Sequence, residues 1–271
     1  MLLYTSIIME FTISDQFKAS QFAFLFQNIR VFTETINFVC ESDHMFVQSM
    51  DSANVMLFEV KIQKDWFNEY KVESNINIGI NTAILSKLLS VREKGHTLQF
   101  MHSTTNADKL DISFTSENKN VYNKDFTIPL VELETSLLGI EEQESNAQFS
   151  MPSANFQNII NQLRMFGDCL SIKCDESAIK LGSKSQDIGE MEVNIDINDL
   201  HEFEIVPDLE LNLNFTLHYL ANISQFSKVS KDVELRFIEN FPMQIVYYLD
   251  ESEHKLENSI SFFLAPQIDN N

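Results

Sequence analysis

The residues best able to do chemistry are scattered along this chain. His44, His96, His102, His201, His218 and His254 form no HExxH pair, and neither a GxSxG nucleophile elbow nor a GxxxxGK[ST] phosphate loop occurs. The stretch DINDLHEFEIVP from Asp196 approximates a calcium loop. Its sixth position, which must turn sharply, is His201 in place of Gly, and its twelfth, which should supply a bidentate carboxylate, is Pro207. It reads as an acidic loop between strands. Glu141 and Glu142 are adjacent carboxylates in a polar stretch, where solvation is the expected role rather than acid-base catalysis. Cys40, Cys169 and Cys174 are odd in number and lack CxxC spacing, which points to buried thiols in a reducing compartment. The expectation is a protein with no catalytic residues, no metal site and no cofactor.

Positive charge is the informative pattern. The segments 18–32, 81–94, 153–166 and 214–231 hold Lys18, Arg30, Lys87, Arg92, Lys94, Arg164, Lys228 and Lys231 against Glu93 alone, a net +7 on 61 residues. With −21 on the whole chain, the other 210 residues carry −28. Charge is segregated by element, which predicts that these segments share a side facing a polyanion.

All four segments have helical periodicity, and they recur. Phe22, Leu25, Phe26, Ile29 and Phe32 make one apolar stripe, and Phe156, Ile159, Ile160 and Leu163 another. Each stripe precedes a strand, acidic turn and strand, FVCESDHMFVQS from Phe38 and SIKCDESAIKLGS from Ser171, with Cys40 and Cys174 134 residues apart. A second helical segment follows in each half, Asn81–Ser90 and Phe215–Gln225, then alternating strands at 97, 109, 233 and 243. The fold class is therefore α+β, two copies of a βαβββαβββ unit. Residues 128–148, with irregular leucines and a run of acids, read as a tether between them.

At 271 residues and 44% hydrophobic, with six Gly and 23 Phe, the chain is long enough for two cores and short of chain breakers. The start MLLYTSIIMEF lacks a basic n-region and is too short to span a bilayer, so an intracellular protein without a membrane partner is expected.

One local feature remains. QSMDSANVML, residues 48–57, begins as an alternating strand, breaks at Met50 and Asp51, and resumes at Val55 and Leu57. QSMDSANVMLFEV resembles the strand-and-loop motif of sliding clamps of the proliferating cell nuclear antigen family. MPSANFQNIINQLRMFGD resembles that family's second-domain opening helix, LLGI its interdomain tether and FLAPQID its C-terminal segment. The four motifs run in order over nearly the whole chain. Met9 falls at the family's initiator Met, which implies an extension at 1–8, a first clamp domain at 9–128, a connector at 129–147 and a second domain at 148–271.

The resemblance implies a DNA clamp fold, with helices lining the channel of a homotrimeric ring around double-stranded DNA and antiparallel sheets outside. It implies a non-catalytic processivity factor that tethers DNA polymerase and other replication and repair enzymes, put in place by a clamp loader. Nucleus or a viral replication site is the expected location, the Asn, Ile and Phe richness suggesting an A·T-rich, viral genome. The alternatives are a clamp-fold interaction or late-transcription factor, or a subunit of a hetero-oligomeric checkpoint-type clamp.

Carried over by position, Lys18, Arg30, Lys87, Arg92, Lys94, Arg164, His218 and Lys228 face DNA. A partner-peptide pocket is implied at Met50, Val55, Leu57, Leu138, Ile140, Pro242, Phe263, Leu264, Ala265 and Pro266. A subunit interface is implied between strand 121–128 of one copy and 187–194 of the next, with Val121, Phe126 and Ile128 meeting Ile188, Met191 and Val193. The chain also departs from the family. Ala23, Phe24, Ser90, Asn158, Asn161, His218 and Gln225 stand where family members carry channel Lys or Arg, and Glu176 where eukaryotic clamps carry a modifiable Lys.

Overall fold

The computed structural model describes residues 7–133, 137–140, 144–238, 241–250 and 257–267. They fall into two units. The first comprises the chain to Ser52, Glu59–Leu138 and Leu249–Ser259, and the second comprises Ala53–Phe58, Gly139–Tyr248 and the chain from Ile260.

The first unit contains β1 (Ile7–Ile13), α1 (Gln16–Asn28), β2 (Thr35–Cys40), β3 (His44–Met50), β4 (Met56–Gln63, from Glu59 on), β5 (Glu69–Val72), β6 (Ile76–Asn81), α2 (Thr82–Leu89), β7 (Thr97–Ser103), β8 (Lys109–Thr115) and β9 (Lys124–Pro129). Its strands run β5-β1-β7-β8-β9 in one sheet and β4-β3-β2-β6 in another. The second unit contains β10 (Ala147–Pro152), α3 (Ser153–Leu163), β11 (Cys169–Cys174), β12 (Ile179–Ser185), β13 (Gly189–Ile195), β14 (Glu202–Ile205), β15 (Leu211–Thr216), α4 (Leu217–Ile223), β16 (Asp232–Phe237), β17 (Met243–Tyr248) and β18 (Ser259–Leu264, from Ile260 on). Its strands run β14-β10-β16-β17-β18 and β13-β12-β11-β15. Adding nine to every strand number of the first unit reproduces the second. The duplication expected from the sequence is thus present in the hydrogen-bond order.

Five strands, not three, separate the two helices of each unit. The additional short pieces, EYKV at Glu69 and EFEI at Glu202, have four residues with alternate ones exposed, too brief to stand out as sequence periods. β1 starts at Ile7, so two residues assigned to an extension already belong to the sheet, and Met9 is fully buried.

Local chemistry explains the helices. Asp15 accepts from the N–H groups of Phe17 and Lys18 at 2.9 Å each, capping α1. Asn81 accepts from the Ile84 N–H at 3.0 Å and caps α2. On α1, Phe22, Leu25 and Phe26 are buried, and the 3-10 turn that follows buries Ile29. Beneath them Phe11 stacks on Phe100 at 4.7 Å, Phe22 meets Phe26 at 4.6 Å, and Phe26 meets Phe38 at 4.9 Å. Rings of this size dominate core energetics, so truncating Phe22 or Phe26 to Ala costs about 3–5 kcal/mol. In the second unit α3 buries Phe156, Ile160 and Leu163, while Ile159 is half-buried. Phe226, in the 3-10 turn after α4, packs on Phe262 at 5.0 Å.

Candidate DNA-facing helices and partner-binding surface

Within the first unit α1 and α2 lie side by side in opposite directions. Arg92, just past α2, donates to Ser20 Oγ at 3.2 Å and Gln16 Oε1 at 3.1 Å near the start of α1. Ser86 Oγ donates to the Gln27 carbonyl, near its end, at 3.2 Å. Arg30, Lys87 and Lys94 are exposed. Lys18 and Arg92 differ from what was expected of them. Lys18 Nζ donates to the Trp66 carbonyl at 2.8 Å and lies 5.3 Å from the centroid of the Trp66 ring, so its charge is held against the protein. Arg92 is half-buried and ties α2 to α1.

In the second unit Arg164, His218 and Lys228 are exposed. Helix α3 packs beside the turn after α4, where Ser227 Oγ donates to Gln157 Oε1 at 2.8 Å. Of the positions where the sequence departs from the family, Asn161 is exposed, whereas Ala23 is buried and takes no part in a surface. Asn158 lines a groove of about 310 Å³ between α3 and β13, together with Met151, Ile159, Val193, Ile195 and Leu200.

The break in QSMDSANVML is the turn between β3 and β4. β3 ends at Met50, Asp51 is buried, and Asn54 takes a positive φ of 56° to bring the chain back. Met50 and Val55 are half-buried, and Leu57 is 7% exposed. Leu138 and Ile140 are 51% and 40% exposed. Within the second unit the Ala265 N–H donates to the Val55 carbonyl at 3.0 Å, and Phe58 faces Phe262 at 6.4 Å, so Val55–Phe58 runs along β18. Phe263, Ala265 and Pro242 are half-buried, Pro266 is exposed and Leu264 is fully buried. Leu57 and Leu264 therefore belong to the packing beneath a surface.

Two residues important to this region were not foreseen. Gln48 holds the connector: its amide accepts from the Leu138 N–H at 2.7 Å and donates to the Leu138 carbonyl at 2.8 Å, while also donating to Glu59 Oε1 at 2.7 Å. Burial pushes the Glu59 carboxyl above its ordinary range. Gly79 is the other. The Val131 N–H donates to its carbonyl at 2.9 Å, and a Cβ at Gly79 would stand 1.9 Å from the Val131 oxygen. A glycine inside a strand-like run, INIGIN, was the available signal.

The expected interface residues lie on, or in the turns just before, two outer strands. β9 ends one sheet series of the first unit and β13 ends one of the second. Phe126 is half-buried on the first and Val121 half-buried in the turn before it, Met191 and Val193 are half-buried on the second, and Ile188 is 63% exposed just before it. Ile128 is buried at 7%, a core residue of its own unit.

Elsewhere, burial pushes the Cys40 thiol up to about 12 and the Cys174 thiol up to about 11, as inert packing thiols behave. Among the described residues Glu41, Asp43 and His44 are the one group of three potential metal ligands close together, within 4.8 Å, and no helix is long and apolar enough to cross a membrane.

Two units of the same strand order, each pairing antiparallel sheets with two helices, define a duplicated DNA-clamp fold. The sequence matches "Proliferating cell nuclear antigen, N-terminal domain" over residues 14–136 and "Proliferating cell nuclear antigen, C-terminal domain" over residues 139–267. The chain belongs to the proliferating cell nuclear antigen family. It is 26% identical over 258 residues to a proliferating cell nuclear antigen of Dictyostelium discoideum, covering 93% of this chain and 97% of that one. It is 28% identical over 238 residues to one of Caenorhabditis elegans, covering 86% and 88%. The boundary between the matched domains lies inside the expected connector, of which β9 takes the first residue and β10 the last.

Proposed function

We propose that this sliding clamp is a non-catalytic processivity factor whose copies close into a homotrimeric ring around duplex DNA. Once loaded, the ring holds a DNA polymerase and other enzymes bearing a clamp-binding motif on the template. Enclosure, rather than affinity for a sequence, keeps it there.

The observation that carries this reading is the repeat of strand order together with the edges it leaves. Under the repeat β9 corresponds to β18, and β13 to β4. Within the second unit the first residues of β4 run along β18. The equivalent partner of β9 is β13 of another copy. Pairing them satisfies two open edges that otherwise invite aggregation, and a head-to-tail contact of this kind closes into a ring. Phe126, Met191, Val193 and Ile188 supply the apolar contacts. The groove between α3 and β13 lies beside this edge.

The helices then face DNA with Arg30, Lys87, Lys94, Arg164, His218 and Lys228. Partner contacts are assigned to Met50 and Leu138 in the first unit and to Val55, Ile140, Pro242, Phe263, Ala265 and Pro266 in the second. Met50 suits such a surface because its flexible thioether adapts to different plugs.

Light scattering at micromolar concentration tests the assembly. A particle of about 94 kDa, three times the 31.3 kDa chain, is expected, falling to single chains in Phe126→Asp. A wild-type protein that stays at the single-chain mass would overturn the ring.

A further inference from the structure

The helix pair of the first unit carries exposed apolar groups among its cations. On α1 and the turn that continues it, Phe17, Phe24 and Val31 recur every seven residues, within about 40° of one another around the axis and about 21 Å from end to end. Phe17 is 67% exposed, Val31 54% exposed and Phe24 half-buried. Because α2 runs in the opposite direction, exposed Val91 falls toward Phe17 and exposed Ile84 toward Val31. Exposed Lys94 sits by the start of α1, where the next residue, Gly95, donates to Gln16 Oε1 at 2.8 Å. Exposed Arg30 and Lys87 sit toward the other end. Nearby acids are largely engaged: Asp15 caps α1, Glu93 pairs with Lys124, and Glu34 remains exposed.

Duplex DNA presents phosphates and hides base faces, so its surface offers little to a phenyl ring. An uncharged partner would desolvate three cations without compensation. A second copy of this face would oppose like charges. An unpaired strand supplies both anions and flat apolar faces.

We propose that this face binds unpaired nucleotides, with Arg30, Lys87 and Lys94 on phosphates and Phe17 and Phe24 stacking bases. The spacing between the two rings, about 10 Å along the helix, leaves room for bases between them. This goes beyond enclosure of duplex and does not require a ring.

The test uses the full chain, a labelled 20-nucleotide oligo(dT) and a 20-base-pair blunt duplex, with anisotropy read at about 50 mM salt. Phe17→Ala should weaken oligo(dT) binding about tenfold, the loss of one stacked base, and change duplex binding less than twofold. Phe17→Tyr should restore oligo(dT) binding, since its ring stacks as well. Lys87→Ala should weaken both ligands. Phe17 is largely exposed, so its truncation leaves the core intact, and a melting curve confirms this. No measurable oligo(dT) binding, or equal binding by wild type and Phe17→Ala, overturns the proposal. Wild-type protein that binds oligo(dT) but no duplex counts against the duplex-facing assignment of the helices and leaves the stacking proposal standing.

Discussion

Gln48 holds Leu138 by both of its backbone groups, accepting from the N–H at 2.7 Å and donating to the carbonyl at 2.8 Å. A side-chain amide thereby imitates a strand partner and pins one residue of the connector. Each hydrogen bond contributes about 1 kcal/mol net, so Gln48→Ala should release Leu138 at a cost of about 2 kcal/mol. Hydrogen exchange checks this directly, with the Leu138 amide expected to exchange at least tenfold faster and the core amides unchanged. If Leu138 belongs to a partner surface, a clamp-binding peptide should also bind about tenfold more weakly, measured by calorimetry.

The orientation of Gln48 is set by Glu59, which accepts its second N–H at 2.7 Å. Burial raises the Glu59 pKa in the folded state, the Gln48 hydrogen bond only partly offsetting it. The folded state therefore binds the extra proton in the window just above the ordinary glutamate range, and stability falls as pH rises through that window. Glu59→Gln keeps an acceptor for Gln48 and removes the buried charge. The variant should melt higher than wild type at pH 7, with the gap narrowing as pH falls through that same window and closed once pH is below the ordinary carboxylate range. A constant gap at all pH values would separate the effect from ionisation.

The parts of this structure legible in the sequence are those written as repeated patterns. Phe22, Leu25 and Phe26 announced α1 by spacing alone, and Asn81 and Ser90 marked the ends of α2. The β3–β4 turn was legible as a break in alternation at Met50 and Asp51. The short strands Glu69–Val72 and Glu202–Ile205 were not, because four half-exposed residues carry too little periodicity. Side-chain commitments were equally hidden. Nothing local distinguishes Lys18, turned onto Trp66, from Lys87, which is exposed, since the difference arises from a residue 48 positions away.

Gly79 tests a close approach of two backbones. With a Cβ only 1.9 Å from the Val131 carbonyl oxygen, Gly79→Ala has no accommodation short of moving the chain after β9. The expected loss exceeds the roughly 1 kcal/mol typical of a point change, and should be read as a lower denaturant midpoint with an unchanged slope. Ala at Gly139, where nothing lies within 4 Å of the added atom, is the matched control and should be close to neutral.

The last prediction concerns DNA. The helices expose few cations, among them Arg30, Lys87, Lys94, Arg164 and Lys228. The rest of the chain is strongly acidic, repelling DNA from outside over a screening length of about 8 Å at physiological ionic strength. Linear duplex, free to slide off, should therefore bind weakly and steeply with salt, while a ring closed on circular DNA should be retained at salt that strips linear DNA. Affinity for phosphates falls with salt at about −0.9 in log–log slope per phosphate neutralised. Asn161 is exposed on α3, whereas Asn158 lines the groove beside β13, so Asn161→Arg is the substitution that adds a cation to the helix face without filling that groove. It should raise linear-duplex affinity at low salt several-fold and steepen the salt slope by up to about 0.9 for each further phosphate that the new guanidinium neutralises. A variant that folds and assembles normally yet shows neither change would remove α3 from the DNA-facing surface, and with it the enclosure of duplex by these helices.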